Sequence, residues 1–133
     1  MTYEQKLDYL LRYRLAVARV QELSEDIARL QAQAERTTLH LTGMPGGRGH
    51  DRFSRIEDCK EDKEHQLARL SRRLSLLRSH TQRIIRAAPL PCRQVLTAVY
   101  IDGLSVGTAA IRLGISRTQA YRLRREGVNS IPI

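Results

Sequence analysis

Between residue 3 and about residue 35 the chain carries neither glycine nor proline, and Leu10, Tyr13, Val17, Val20, Leu23, Ile27, Leu30 and Ala34 recur at spacings of three and four. That period lays them along one stripe of an α-helix and turns the charged residues between them to water. At 1.5 Å per residue the helix would run about 50 Å, too long to bury its stripe on a small core, so it calls for a partner helix. Gly43, Pro45, Gly46, Gly47 and Gly49 interrupt the pattern and predict a turn or extended tip over about 36–52. From residue 53 to about residue 87 the period resumes through Ile56, Cys59, Lys63, Leu67, Leu70, Leu74, Leu77, Thr81 and Ile84. Two apolar stripes of nearly equal length, joined by a glycine-rich tip, predict an antiparallel coiled-coil hairpin. Lys63 and Thr81 break the second stripe, a device that lowers stability and can set register or oligomer state.

Pro89 and Pro91 end the hairpin, because proline removes a backbone donor and disfavours helical geometry in the residue before it. Three shorter helices are predicted beyond it, at about 91–101, 105–113 and 116–126, separated by turns at Asp102-Gly103 and at Gly114. The last two have the requirements of a helix-turn-helix. Ala110 is small enough for the helix crossing, Gly114 suits a left-handed turn, and Ala109, Leu113, Ile115, Ala120 and Leu123 fall on the inward faces. Val95, Leu96, Val99 and Tyr100 of the preceding helix would complete the core, with Ser105 and Ser116 as N-caps. The expected architecture is all-α: a helical hairpin over residues 1–88, serving oligomerisation or partner contact, and a three-helix DNA-binding bundle over 89–133.

Composition narrows the function classes. A chain of 133 residues is too short for a multidomain enzyme, and one Phe, five Tyr and no Trp argue against a large globular core. With 23 Lys and Arg against 14 Asp and Glu the net charge is +9, which favours a polyanionic partner. No apolar run approaches the roughly 18 residues that a membrane span requires, and the opening Met1-Thr2-Tyr3-Glu4 lacks a signal peptide's basic and apolar layout. These features predict a cytoplasmic protein, associated with the nucleoid of a bacterial host, with no membrane partner. Cys59 and Cys92 are too few for a disulfide framework.

The charge is segregated. Along the second long helix Glu57, Asp58, Glu61, Asp62 and Glu64 come first and Arg69, Arg72, Arg73, Arg78, Arg83 and Arg86 follow, the order that the helix dipole favours. From residue 89 onward six arginines face only Asp102 and Glu126, a net +4. Ser116, Arg117, Thr118, Gln119, Arg122, Arg124 and Arg125 are the candidate DNA-binding residues. Arg can bridge guanine O6 and N7, Gln can pair with adenine, and Ser or Thr can meet phosphate at a helix N-terminus.

The stretch Leu90-Pro91-Cys92-Arg93-Gln94-Val95-Leu96-Thr97-Ala98-Val99-Tyr100-Ile101-Asp102-Gly103-Leu104-Ser105, followed by Ala109-Ala110-Ile111-Arg112-Leu113-Gly114-Ile115-Ser116, resembles region 4 of sigma-70-type factors. That resemblance implies that Arg117, Thr118, Gln119 and Arg122 meet the major groove while Arg124 and Arg125 touch phosphate. Sigma factors of this class usually carry a Glu shortly after the Leu-Ser step, where this chain has Val106-Gly107-Thr108, which leaves the helix start less well capped. A helical hairpin with the tip Leu41-Thr42-Gly43-Met44-Pro45-Gly46-Gly47 ahead of a sigma-like helix-turn-helix is similar to phage and prophage transcriptional regulators of the ArpU and RinA type.

The expected function is therefore sequence-specific binding of double-stranded DNA by a phage or prophage transcriptional regulator. A homodimer or higher homo-oligomer is the expected assembly, with host RNA polymerase as a further contact. Two alternatives belong to other classes: a small terminase-like packaging component, which would assemble as a ring, and a helical adaptor that binds no DNA. An enzyme is the least supported class, with no catalytic residue, metal site or cofactor expected. His40, His50, His65 and His80 are scattered, Cys59 and His65 do not share a helix face, and residues 43–49 lack the Gly-Lys-Ser/Thr ending of a phosphate-binding loop.

Overall fold

A computed structural model describes the backbone of residues 1–41 and 47–133 and the side chains of residues 1–37 and 51–133. Among the described residues the protein is all-α, with no strand and five helices: α1 (Tyr3–Leu41), α2 (Gly47–Ile85), α3 (Leu90–Tyr100), α4 (Val106–Leu113) and α5 (Arg117–Ser130). The centre of the expected tip, residues 42–46, and the side chains of His40, Arg48 and His50 lie outside the described residues.

Both long helices extend further than the sequence pattern predicts. α1 continues past Glu35 to Leu41, and α2 begins at Gly47, inside the glycine-rich stretch expected as tip. A glycine in a helix costs only about 1 kcal/mol, so a few glycines shorten a helix less than they would break a pattern. α1 starts with a reciprocal cap: the Gln5 amide nitrogen donates to Thr2 Oγ1 at 3.3 Å, and the Thr2 backbone nitrogen donates to Gln5 Oε1 at 2.9 Å. Two of the N-terminal donors that a helix leaves unpaired are thereby satisfied.

The chain forms two compact units. One comprises residues 18–73, the distal parts of α1 and α2; the other comprises residues 1–17 and 74–133. In the first unit Leu23 and Ala34 are buried while Val20, Ile27, Leu30, Ile56, Leu67 and Leu70 are half-buried, as the stripe predicts. Lys63, the seam's polar interruption, donates to Asp26 Oδ2 of the facing helix at 3.1 Å. Lys63 and then Arg29 hold the Asp26 carboxyl below the usual carboxylate range, against the opposing effect of desolvation. Cys59 corrects the sequence reading. It is exposed, and its neighbour Lys60 is half-buried instead, with a long apolar stem that can cover the seam while its ammonium stays in water.

The second unit joins the base of the hairpin to the short helices in one core of Leu10, Tyr13, Ile84, Ile85, Ala88, Cys92, Leu96, Tyr100, Ile101, Val128 and Ile131. Thr81 is buried but satisfied, its hydroxyl donating to the Leu77 carbonyl at 2.8 Å. Tyr9 and His80 pair across the two helices at 2.5 Å. α5 runs four residues beyond the predicted end, because Gly127 is a crossing point and not a stop. A Cβ there would lie 2.9 Å from Cys92 Cβ and 2.9 Å from Leu96 Cδ1. The glycine lets α3 and α5 approach closely, and Val128 and Ile131 continue into the core. No described helix is long and apolar enough to cross a membrane.

Candidate nucleic-acid interface

The last two helices are positioned by caps that the sequence announces. Ser105 precedes α4 in extended geometry, and its hydroxyl oxygen accepts from the Thr108 amide at 3.2 Å while donating to Thr108 Oγ1 at 2.9 Å. Thr108 thus occupies the position where a capping-box Glu would stand, and the helix start is satisfied without one. At the other end Gly114 adopts φ +70°, and the amides of Gly114 and Ile115 take up the carbonyls of Ala110 and Ile111. Only glycine enters that left-handed region without steric cost, so the turn is specified by one residue. Ser116 then caps α5, accepting from the Gln119 amide at 3.1 Å.

Ala110 and Ala120, both buried, let α4 and α5 cross closely, with Val99, Val106 and Ile115 filling the remaining space. This fixes which side of α5 faces outward. Ser116, Arg117, Thr118, Gln119, Arg122 and Arg125 are exposed, while Arg124 is half-buried. Thr118, Arg122 and Arg125 repeat at helical spacing along one outer face, and Gln119 stands beside Arg122. Arg117 lies at the edge, its guanidinium over Gly107 of α4, where an added Cβ would meet it at 3.0 Å. Arg124 is set apart from the outer group. Its guanidinium carbon stands 5.2 Å from the centre of the Tyr121 ring, and its Nε is enclosed without a hydrogen-bond partner.

Residues 103–125 contain no acidic side chain. The two acids of the bundle both face arginines: Asp102 accepts from Arg112 at 3.0 Å, and Glu126 lies 3.9 Å from Arg122. Both pairs are exposed to solvent and worth little in isolation, so Arg122 can exchange its partner for another anion. Arg93 contributes to the charge of the segment but has a structural task. It donates to the carbonyls of Arg86 at 3.0 Å and Ala88 at 3.2 Å, closing the C-terminal end of α2.

Three residues of this surface carry no signal in the sequence pattern. Ile111 projects from α4 with 83% of its surface exposed, next to the shallow concavity that Ser105, Gly107, Thr108 and Arg117 line. Tyr3 and Tyr121, far apart in sequence, border one cavity with Arg124, Arg125 and Asn129. Their common place on that cavity follows from the tertiary fold and not from any local pattern. No family model, no curated protein and no solved structure matches this chain.

Proposed function

We propose that the chain binds double-stranded DNA sequence-specifically, as a transcriptional regulator of the phage or prophage kind, with the first half of α5 in the major groove. One observation carries the reading: beyond the left-handed Gly114 turn, a Ser116-capped helix offers Arg117, Thr118, Gln119 and Arg122 in exposed positions, in a stretch free of acids. Arg117 and Arg122 would fork onto guanine O6 and N7, and Gln119 would pair with adenine. Ser116 and Thr118, beside the free N–H groups of the helix start, suit a backbone phosphate, as do Arg124 and Arg125 further along. One helix-turn-helix reads few bases, so a homodimer on paired half-sites about one helical turn apart supplies the affinity, with the hairpin available for dimerisation or for RNA polymerase.

Selection from a random duplex library at about physiological salt tests the reading, because non-specific electrostatic binding is weakened there. A motif should be enriched, and Arg117→Ala or Arg122→Ala should relax preference by about 1–3 kcal/mol at one base position. Retention that shows no motif and vanishes uniformly as salt rises would sink it.

A further inference from the structure

Tyr3, Tyr121, Arg124, Arg125 and Asn129 line a cavity of about 420 Å³ beside α5. Its chemistry differs from that of the other concavities. Two tyrosine rings and two arginines meet there, with one amide and no acid. Among the described residues neither the Arg124 nor the Arg125 guanidinium has a hydrogen bond or an ion pair with a protein group. The Arg124 guanidinium is held against the Tyr121 ring, and its Nε is already withdrawn from water without a partner. Arranged this way, the guanidinium has lost part of its hydration and gained no anion, while remaining fixed in direction. Its charge is felt at the neighbouring buried Tyr100, whose hydroxyl it pulls down against the stronger upward effect of burial.

We propose that this cavity is a nucleotide-binding site, with the phosphate on the guanidinium groups of Arg124 and Arg125 and the base against the tyrosine rings. Guanidinium forks match phosphate oxygens in pairs, and aromatic side chains accept any base because every base has a π face. Asn129 supplies an amide that can both donate to and accept from the ligand. The volume suits a single nucleotide, at the small end of the range of ligand pockets. Two sources share this chemistry, a free 5′-mononucleotide and a nucleotide at the end of a strand. The site shares Arg124 and Arg125 with the phosphate contacts proposed above but draws Tyr3, Tyr121 and Asn129 from outside that reading, so loss of mononucleotide binding in Tyr121→Ala is distinguishable from loss of base reading by Arg117 and Arg122.

Titration calorimetry of the full chain with adenosine 5′-monophosphate, inorganic phosphate and adenosine provides the test. The mononucleotide should bind more tightly than either fragment. Tyr121→Ala, at a position nearly half exposed, should weaken it about tenfold. Arg125→Ala should weaken it as well, while both variants keep the wild-type unfolding midpoint. Equal affinity for phosphate and mononucleotide, or a mononucleotide affinity that Tyr121→Ala leaves unchanged, would overturn the proposal. A 5′-phosphorylated single-stranded hexanucleotide distinguishes the sources: tighter binding than the mononucleotide, lost in Tyr121→Ala, assigns the site to a strand end, and equal or weaker binding assigns it to the free nucleotide.

Discussion

The ammonium of Lys6, on the first turns of α1, lies 3.0 Å from the backbone carbonyl oxygen of Ile131. It also donates to the carbonyl of Asn129 at 3.2 Å, so one cation from the start of the chain closes the C-terminal end of α5. Helix ends leave carbonyls unpaired, and positive charge there is favoured twice, by hydrogen bonding and by the dipole. Lys6→Met, which keeps the apolar stem, should lower stability by about 1–2 kcal/mol. Urea unfolding followed by circular dichroism checks this, with the midpoint shifting and the slope unchanged.

The core of the second unit predicts how the protein tolerates dissection. Leu10, Tyr13, Ile84 and Ile85 of the hairpin base share one buried cluster with Leu96, Val128 and Ile131. A fragment of residues 89–133 would expose these last three side chains, and so few residues rarely bury enough apolar surface to stay folded. Its circular dichroism should show a largely unfolded chain under conditions where the full protein melts cooperatively. A cooperative melt of the isolated fragment would contradict the shared core.

Two glycines of the bundle should respond differently to the same substitution. In Gly127→Ala the new Cβ meets Cys92 Cβ and Leu96 Cδ1 at 2.9 Å, atoms fixed in the core, and the cost should be about 1–3 kcal/mol. In Gly107→Ala the nearest atom, at 3.0 Å, is the end of the Arg117 side chain, which can swing aside. Thermal midpoints of the two variants should therefore separate, with Gly107→Ala close to wild type.

The two cysteines predict distinct reactivity and an alkaline limb of stability. Cys59 is exposed and Cys92 buried, so a thiol reagent should label one cysteine in the native protein and both in denaturant. Burial pushes the Cys92 thiol above its ordinary value of 9.0, with Glu126 adding to the effect, and burial likewise raises Tyr100 above 10.0. Both groups are neutral when folded. Their contribution is complete below the unfolded values and is lost as pH rises from about 9 through the raised folded values. Unfolding midpoints measured from pH 8 to pH 11 should fall, and Cys92→Ala should flatten the first part of that fall.

Local chemistry was legible in the sequence wherever one residue decides it. Gly114 with positive φ, the Ser105 and Ser116 caps, the small Ala110 and the stripe from Leu10 to Ala34 are where the pattern puts them. Cys59 was misread because steps of three then four and four then three both connect Ile56 to Lys63, and an apolar thiol is the more hydrophobic choice than Lys60. The last helix was expected to end at about residue 126, but Gly127 lies inside it, at the place where α3 comes close. At the candidate interface the outward positions of Arg117 to Arg122 follow from helical period. The separate setting of Arg124 does not, because it depends on the Tyr121 ring beneath its guanidinium and on a cavity to which Tyr3, far away in sequence, contributes. No local pattern encodes that meeting, nor the burial of Ile131 beside the hairpin base.

That last feature bears on the order in which the molecule is made. The pairing of residues 18–73 can form once the second long helix has been synthesised, whereas the core around Leu10 waits for Ile131, more than a hundred residues further along the chain. Contacts so distant along the chain close late and slowly. Until Ile131 has been made the apolar base of the hairpin therefore stays open, and the helix that carries the exposed arginines has no fixed seat.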